Sequence, residues 1–128
     1  MITGIQAQFN DEFVRLNNFH EEIVVRIRAR PNESNILVTG KVVITNSDGD
    51  PQNASVRLTF QDGFNETDTT TVRIPGGGSQ VVSVIGWVRG QDVIAGQFVD
   101  LRVSTFNGVT QKARLVVMGA DNIGSTEA

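Results

Sequence analysis

Apolar residues recur at every second position along most of the chain, as in residues 56–60 and 99–103. This alternation is typical of antiparallel strands that bury one face and expose the other. Val, Ile and Thr, whose branched side chains suit a pleated strand, far outnumber Leu. The pattern predicts strands near residues 3–9, 22–30, 36–46, 54–61, 69–74, 80–88, 97–106 and 110–118.

Turn-forming residues separate these strands at short intervals. Asp62-Gly63 predicts a hairpin, and Asn107-Gly108 predicts a type I′ turn between two alternating segments. Short strands at this regular spacing are typical of an all-β fold. We expect a single antiparallel β-sandwich of about eight strands over residues 1–118, with immunoglobulin-like and jelly-roll topologies both open.

Two places interrupt the regular pattern. Gly40 occupies a position on the apolar face of its strand, where we expect a bulge or close packing. Residues 10–21 fit either a short helix capped by Asp11 or an additional strand with a turn at Asn17-Asn18. We favour the strand and the turn.

Composition narrows the possible chemistry. The chain of 128 residues has no Cys, one His and a net charge of −3. Without Cys it has no disulfide framework, thiolate metal site or cysteine nucleophile. The mildly acidic balance argues against nucleic acid as a partner, and no apolar stretch is long enough for membrane insertion. The first residues lack the features of a signal peptide, so we expect synthesis in the cytoplasm, with the final location left open.

Strand and turn signals follow a definite order between Gly40 and Val103. They are Val42-Val43-Ile44-Thr45-Asn46, Ala54-Ser55-Val56-Arg57-Leu58-Thr59-Phe60, Asp62-Gly63, Ile74-Pro75-Gly76-Gly77-Gly78-Ser79, Trp87, Gly96 and Phe98-Val99-Asp100. This order, over about half of the chain, resembles the immunoglobulin-like repeats of bacterial surface proteins, the cell-adhesion-related type often called CARDB. The polar loop, the Gly-rich turn and the Gly-x-Phe segment are also distantly similar to the jelly-roll subunits of bacterial spore appendages. Those subunits rely on cysteines for cross-linking, and both resemblances imply a β-sandwich without implying a function.

The sequence offers little for catalysis. His20 has no evident catalytic partner, and no nucleophile motif or zinc motif is present. We therefore predict a protein that is not an enzyme and that uses no cofactor.

A polar loop places Asn46, Asp48 and Asp50 at alternate positions. Such oxygen ligands suit Ca²⁺, but the distal Glu of an EF-hand loop is absent. Asn and Asp are also the ordinary residues of tight turns. We favour a structural turn with no bound metal and keep a calcium loop as the alternative.

Arg26, Arg28 and Arg30 alternate on one face of a predicted strand. Like charges on one strand face repel each other unless they meet carboxylates or phosphates. The plainer interpretation is a solvated face, or pairing with acidic residues such as Glu21 and Asp100. The functional interpretation is a docking stripe for an acidic partner.

Residues 80–88 are apolar on both faces over much of their length. Such a strand is either central and covered, or it needs a partner to cover it. We expect Trp87, within this strand, to lie in the core; an exposed Trp could instead stack on a sugar.

These features together predict a non-enzymatic structural subunit that self-assembles or decorates a larger particle, as a phage virion component or part of a bacterial surface appendage. An N-terminal arm, residues 1–10, and a polar C-terminal tail, residues 119–128, would take part in homo-oligomeric or larger assemblies. The expected interface residues are Arg26, Arg28, Arg30, Ile2, Ile5 and Ile123. The alternative is an adhesion or carbohydrate-binding module of a cell-surface protein, which binds a glycan at Trp87 or at the loop of Asp48 and Asp50.

Overall fold

A computed structural model describes residues 2–28, 35–60, 65–88 and 98–120 of the chain. The described residues form strands and no helix, so they supply no helical segment that could cross a membrane. The strands are β1 (Ile2–Asn10), β2 (Val14–Asn17), β3 (Glu22–Arg28), β4 (Asn35–Asn46), β5 (Gln52–Phe60), β6 (Asn65–Ile74), β7 (Ser79–Val88), β8 (Phe98–Thr105) and β9 (Asn107–Ala120). Each of the eight predicted strands has its counterpart, and β2 is the additional one.

The strands form two antiparallel sheets. The five-stranded sheet has the order β1-β9-β4-β7, with β2 also paired to β9, and the four-stranded sheet has the order β3-β8-β5-β6. β1 and β2 pair with successive parts of β9 and together occupy the place of one interrupted edge strand. The all-β sandwich predicted from the alternation is therefore confirmed.

The strand pairs are nested around a single hairpin. β5 pairs with β6, β4 with β7, β3 with β8, and β1 and β2 with β9. Paired residues such as Ile44 and Gln80, or Val25 and Leu101, lie at nearly equal distances along the chain from residues 62–63. The chain is thus one long antiparallel ribbon rolled into two sheets, which is a jelly-roll arrangement and not an immunoglobulin-like one.

The centre of this ribbon is the predicted hairpin at Asp62-Gly63. β5 ends at Phe60 and pairs there with Asn65, so residues 61–64 connect the two strands. The turn residues themselves lie outside the described part of the chain.

Aliphatic side chains from the inward faces of both sheets form the core. Gly40 on β4 faces Leu58 and Leu101 of the opposite sheet, and a Cβ at position 40 would lie 2.8 Å from Leu101 Cδ1. The close packing predicted at Gly40 is therefore confirmed. The largest fully buried apolar side chains are Leu16, Val38, Val42, Ile44, Val56, Leu58, Ile74, Leu101, Val103 and Leu115.

Residues 2–20 belong to the sandwich. Residues 2–10, expected to act as an arm, form edge strand β1, which is paired along β9 up to Asn10. The strand favoured for residues 10–21 is confirmed as β2, and the turn lies one residue later than predicted, at Asn18 and Phe19. Both turn residues adopt left-handed φ angles, 52° and 59°.

The junction of β8 and β9 differs from the prediction. Asn107 and Gly108 belong to β9 and pair with Asn17 and Leu16 of β2. Neither has the positive φ that a type I′ turn requires, so that predicted turn is wrong. The chain crosses from one sheet to the other at Phe106 instead.

The placement of Trp87 also differs from the prediction. On β7, Val82 and Val84 point inward and are buried, so the residues that alternate with them point outward. Trp87 is one of these outward residues and is 48% exposed, so its expected core position is wrong. β7 lies at the edge of the five-stranded sheet, which excludes the central, covered position for this strand.

Candidate assembly surface

The outward face of the four-stranded sheet carries a network of ion pairs. Asp100 Oδ1 accepts a hydrogen bond from Arg26 Nε at 2.9 Å, and its Oδ2 accepts one from Arg102 Nη2 at 3.0 Å. Glu21 accepts two bonds of 2.8 Å from Arg57 Nη1. The Asp100 side chain is fully buried beneath its arginine partners. We call these five residues the ion-paired face.

Two residues of the predicted arginine stripe, Arg26 and Arg28, lie on this same side of the molecule. Arg26 pairs with Asp100, as the plainer interpretation of the sequence requires, and its guanidinium lies 4.0 Å from the centre of the Phe98 ring. The guanidinium of Arg28 lies 5.0 Å from the same ring centre. Arg30 lies outside the described residues. Paired and stacked in this way, Arg26 and Arg28 make intramolecular contacts, and their part in docking stays a prediction.

The outward face of the five-stranded sheet is largely apolar instead. The strand register aligns its outward residues in rows that cross the sheet. The first row is Ile5, Met118, Leu37 and Trp87, and the second is Ala7, Val116, Thr39 and Ile85. Val43 and Val81 form a directly paired apolar pair further along β4 and β7. We call the eight residues of the first and second rows the apolar face.

The apolar face leaves large side chains in solvent. Ile85 is 61% exposed, Ile5 59% and Trp87 48%. Isolated apolar residues are ordinary on protein surfaces, but contiguous apolar patches usually mark contact sites. The apolar face is therefore the strongest candidate for an interaction surface in the described part of the chain.

A third row with two cations crosses the sheet between the second row and Val43-Val81. It consists of Phe9, Arg114, Lys41 and Ser83. Arg114 pairs with Asp11 at 2.6 Å and lies 4.9 Å from the centre of the Phe9 ring. No ion pair of Lys41 is found among the described residues. A shallow hollow of about 390 Å³ lies here, lined by Thr39, Gly40, Lys41, Ser83, Val84, Ile85, Arg114 and Val116.

Side-chain hydrogen bonds join the two sheets at both sides of the sandwich. At the β7 edge, the backbone N–H of Ile85 donates to Asp68 Oδ2 at 3.0 Å. On the opposite side, Gln6 Nε2 of β1 donates to the backbone oxygen of Arg28 on β3 at 3.0 Å. Such contacts occupy edge groups that would otherwise pair with a strand of another chain. They favour docking on a face over docking at an edge.

The loop of Asn46 is held by its own hydrogen bonds. Asn46 Nδ2 donates to the backbone oxygens of Asp50 at 2.8 Å and Ile74 at 3.0 Å. Its Oδ1 accepts from the N–H of Asp48 at 2.9 Å and from the Gln52 amide. The buried Asn46 amide is thus committed to protein partners, as a structural turn requires. The described residues contain no group of three or more His, Cys, Asp or Glu side chains that could hold a metal ion.

The other predicted residues are dispersed. His20 lies exposed after β2, with its Nε2 3.8 Å from Glu22 Oε1. Ile5 lies on the apolar face and Ile2 begins β1, while Ile123 lies outside the described residues. Sequence reasoning did not single out Ile85, although a signal existed. Ser83, the polar residue in the middle of β7, lies on the same side of the strand as Ile85 and indicates that this side faces solvent.

No family model matches the chain, and no curated protein matches it. Several solved structures are similar in fold. A mutant VP2 protein of infectious bursal disease virus in derived T=1 particles has a TM-score of 0.60 and 11% identity, over 94% of this chain and 33% of that chain. A VP2 subviral particle of the same virus gives 0.62 and 11%, over 93% and 33%. The T13 particle of that virus gives 0.60 and 10%, over 92% and 32%.

The chain spans about a third of the length of these viral proteins. At such low identity the likeness shows the fold alone, a jelly roll that also occurs in proteins of virus particles. The comparisons lend no support to the resemblance to immunoglobulin-like surface repeats.

Proposed function

We propose that the chain is a non-enzymatic structural subunit of a larger protein particle, and that the apolar face is its contact with other subunits. One observation carries the proposal, namely the difference between the two outward faces. The ion-paired face satisfies its charges within the chain, whereas the apolar face leaves Ile85 and Trp87 in solvent. Covering a large apolar side chain contributes about 1.5–3 kcal/mol when it becomes fully buried, so a partner on this face is favourable.

The similar structures support this class of function at the level of fold. They are VP2 proteins whose descriptions name T=1 particles and subviral particles. Of the particles suggested by the sequence, a virion component therefore suits the chain better than a bacterial surface appendage. The absence of a catalytic motif from the sequence agrees with a structural role.

Light scattering behind size exclusion, with negative-stain imaging of the peak, tests the proposal. The key variant is Ile85→Ser on the apolar face, and the matched control is Ile23→Ser, an exposed isoleucine on the outward side of the other sheet. We expect the wild type and Ile23→Ser to form multimers and Ile85→Ser to shift toward the 13.9 kDa monomer. A wild type that stays monomeric at every concentration, or two variants that assemble equally well, would contradict the proposal.

A glycan-binding module is the second candidate, and the exposure of Trp87 favours it. An indole on an open sheet face can stack on a sugar ring. A glycan screen with wild type and Trp87→Ala separates the two functions. Saturable binding by a monomeric wild type, lost in Trp87→Ala, would favour the module.

A further inference from the structure

We infer that the outward face of the five-stranded sheet binds an extended segment of another subunit, in which one carboxylate lies between two apolar side chains. The carboxylate lies over Lys41, with one apolar side chain on the second row and the other on the Val43-Val81 pair. The inference rests on the proposed function, because it gives the chemistry of the partner that this side of the sheet meets.

The five-stranded sheet is cationic although the chain as a whole is acidic. None of the 14 Asp and Glu residues of the chain lies on its strands, which are β1, β2, β4, β7 and β9. The same strands carry four cations, namely Arg15, Lys41, Lys112 and Arg114. A sheet that is apolar and cationic is complementary to a partner that is apolar and anionic.

Two of these cations meet in the third row. Lys41 and Arg114 lie directly opposite each other on β4 and β9, and like charges in that position repel. Arg114 has the carboxylate of Asp11 at 2.6 Å, and Asp68 is bonded to the N–H of Ile85 at the β7 edge. Among the described residues no carboxylate lies within ion-pair distance of Lys41. The third row is therefore neutralised at Arg114 and lacks a counter-charge at Lys41.

The chain itself shows which chemistry covers a cation of this row. Asp11 pairs with Arg114, and the Arg114 guanidinium lies 4.9 Å from the centre of the Phe9 ring. In the sequence, Asp11 has Phe9 two positions before it and Phe13 two positions after it. An acidic residue between two apolar ones thus accompanies Arg114 at the sheet edge. The same arrangement, supplied by another subunit, suits Lys41.

The spacing of the rows defines the pattern of the partner segment. Ile85 lies in the second row, Ser83 opposite Lys41 in the third, and Val81 beyond it, at every second residue of β7. Ile85 and Val81 are both more than half exposed. Alternate residues of an extended chain point to the same side and are about 6.6 Å apart. A segment with apolar, acidic and apolar residues at positions i, i+2 and i+4 therefore matches the three places at once.

The hollow of about 390 Å³ lies between the apolar and the cationic part of this surface. Its lining residues are Thr39, Ile85 and Val116 of the second row, Lys41, Ser83 and Arg114 of the third row, and Gly40 and Val84. Gly40 and Val84 face the core, so they contribute backbone to its floor. An acidic side chain that enters the hollow from the apolar side reaches both cations of the third row.

The size of the surface favours a segment over a whole globular partner. From the first row to Val43 it spans four strands about 4.8 Å apart and seven residues of about 3.3 Å each, which amounts to roughly 400 Å². Stable interfaces between globular proteins bury about 800 Å² per partner. An extended segment of five residues is about 16 Å long and lies within this surface.

Two peptides test the inference. The probes are Gly-Ile-Thr-Glu-Thr-Ile-Gly, acetylated or labelled with a neutral dye at one end and amidated at the other, and the same peptide with Gln in place of Glu. The key variant is Lys41→Gln. The matched control is Arg73→Gln, which removes one positive charge from an exposed position on β6 of the other sheet. Fluorescence anisotropy of the labelled peptide measures binding, and circular dichroism checks that each variant folds.

We expect the wild type and Arg73→Gln to bind the Glu peptide about tenfold more tightly than the Gln peptide, as for a partly desolvated charge pair. In Lys41→Gln this preference should fall below about threefold, because Arg114 remains paired with Asp11. Raised salt should reduce the preference in the wild type.

Equal binding of the two peptides by the wild type, or an equal preference in Lys41→Gln and Arg73→Gln, would overturn the inference. In that case the assembly of Ile85→Ser still decides the proposed function by itself. Sedimentation of the wild type with vesicles of phosphatidylcholine and phosphatidylserine, lost in Lys41→Gln and without a peptide preference, would also overturn it in favour of a lipid surface. A peptide preference that depends on Lys41, in a protein whose Ile85→Ser and Ile23→Ser variants assemble alike, would leave the segment site standing and the proposed assembly contact wrong.

Discussion

Leu37 and Trp87 lie directly opposite each other on β4 and β7, and both side chains point away from the sandwich core. Ile5 and Met118 extend this row across β1 and β9. In an antiparallel sheet with one face buried, outward positions normally carry polar residues. A row of four large apolar side chains on the solvent side is the departure from that rule on which the proposed assembly contact depends.

We expect the side chain of Trp87 to contribute less to the free energy of unfolding than a smaller side chain in the core does. Leu101 is fully buried between the sheets, so Leu101→Ala should cost about 2–5 kcal/mol of unfolding free energy. Trp87→Ala should cost about 1 kcal/mol, because the indole is already half exposed. Urea unfolding followed by circular dichroism, at low protein concentration, measures both. Equal losses of unfolding free energy in the two variants would indicate that Trp87 is a core residue.

Asp100 should be the acidic residue that matters most to stability among the described ion pairs. Its side chain is fully buried, so Asp100→Asn leaves Arg26 and Arg102 short of a counter-charge. Because both arginines keep some contact with water, we expect a loss of about 2 kcal/mol. The control is Asp11→Asn. The Asp11 carboxylate is largely exposed, so this substitution should lower the unfolding free energy by less than about 1 kcal/mol. Similar denaturation midpoints for the two variants would argue against a structural role for the ion-paired face.

The stability of the Asn46 loop should depend on the N–H donors of the Asn46 side-chain amide, which a carboxylate cannot supply. Asn46→Asp points a negative oxygen at the carbonyl oxygens of Asp50 and Ile74, and we expect it to cost at least about 2 kcal/mol. Asp48→Asn, nearby on the same loop, should change stability by less than about 1 kcal/mol. Thermal melts with and without Ca²⁺ provide the comparison. A higher Tm of the wild type in Ca²⁺ would favour the calcium loop instead.

Local patterns in the sequence were sufficient to predict the strands and the centre of the ribbon. Alternation depends on side-chain parity alone, and the Asp62-Gly63 pair is a short-range turn signal. The jelly-roll topology could not be read in this way, because immunoglobulin-like sandwiches use the same strands and turns. It emerges only from long-range pairing such as Ile5 with Met118.

Both wrong predictions concern which sheet, or which side of a sheet, a residue belongs to. Asn107-Gly108 has the composition of a hairpin turn, but the strands on either side belong to different sheets, so the chain crosses at Phe106. Trp87 lies in a strand that is apolar at both parities, and the expectation that an indole is buried outweighed the one polar residue, Ser83, that marks the outward side. The pairing of Arg57 with Glu21 joins residues far apart in sequence, and no local pattern indicates it.

The fluorescence of Trp87 tests the central claim most directly. The chain has one Trp and no Tyr, so its emission reports on the apolar face. Emission and acrylamide quenching are followed as the protein concentration rises and the protein associates. We predict a blue shift and reduced quenching in the wild type and in Ile23→Ser, and neither change in Ile85→Ser. Assembly of the wild type with Trp87 as accessible to acrylamide as in the monomer would contradict the claim that the apolar face is the contact.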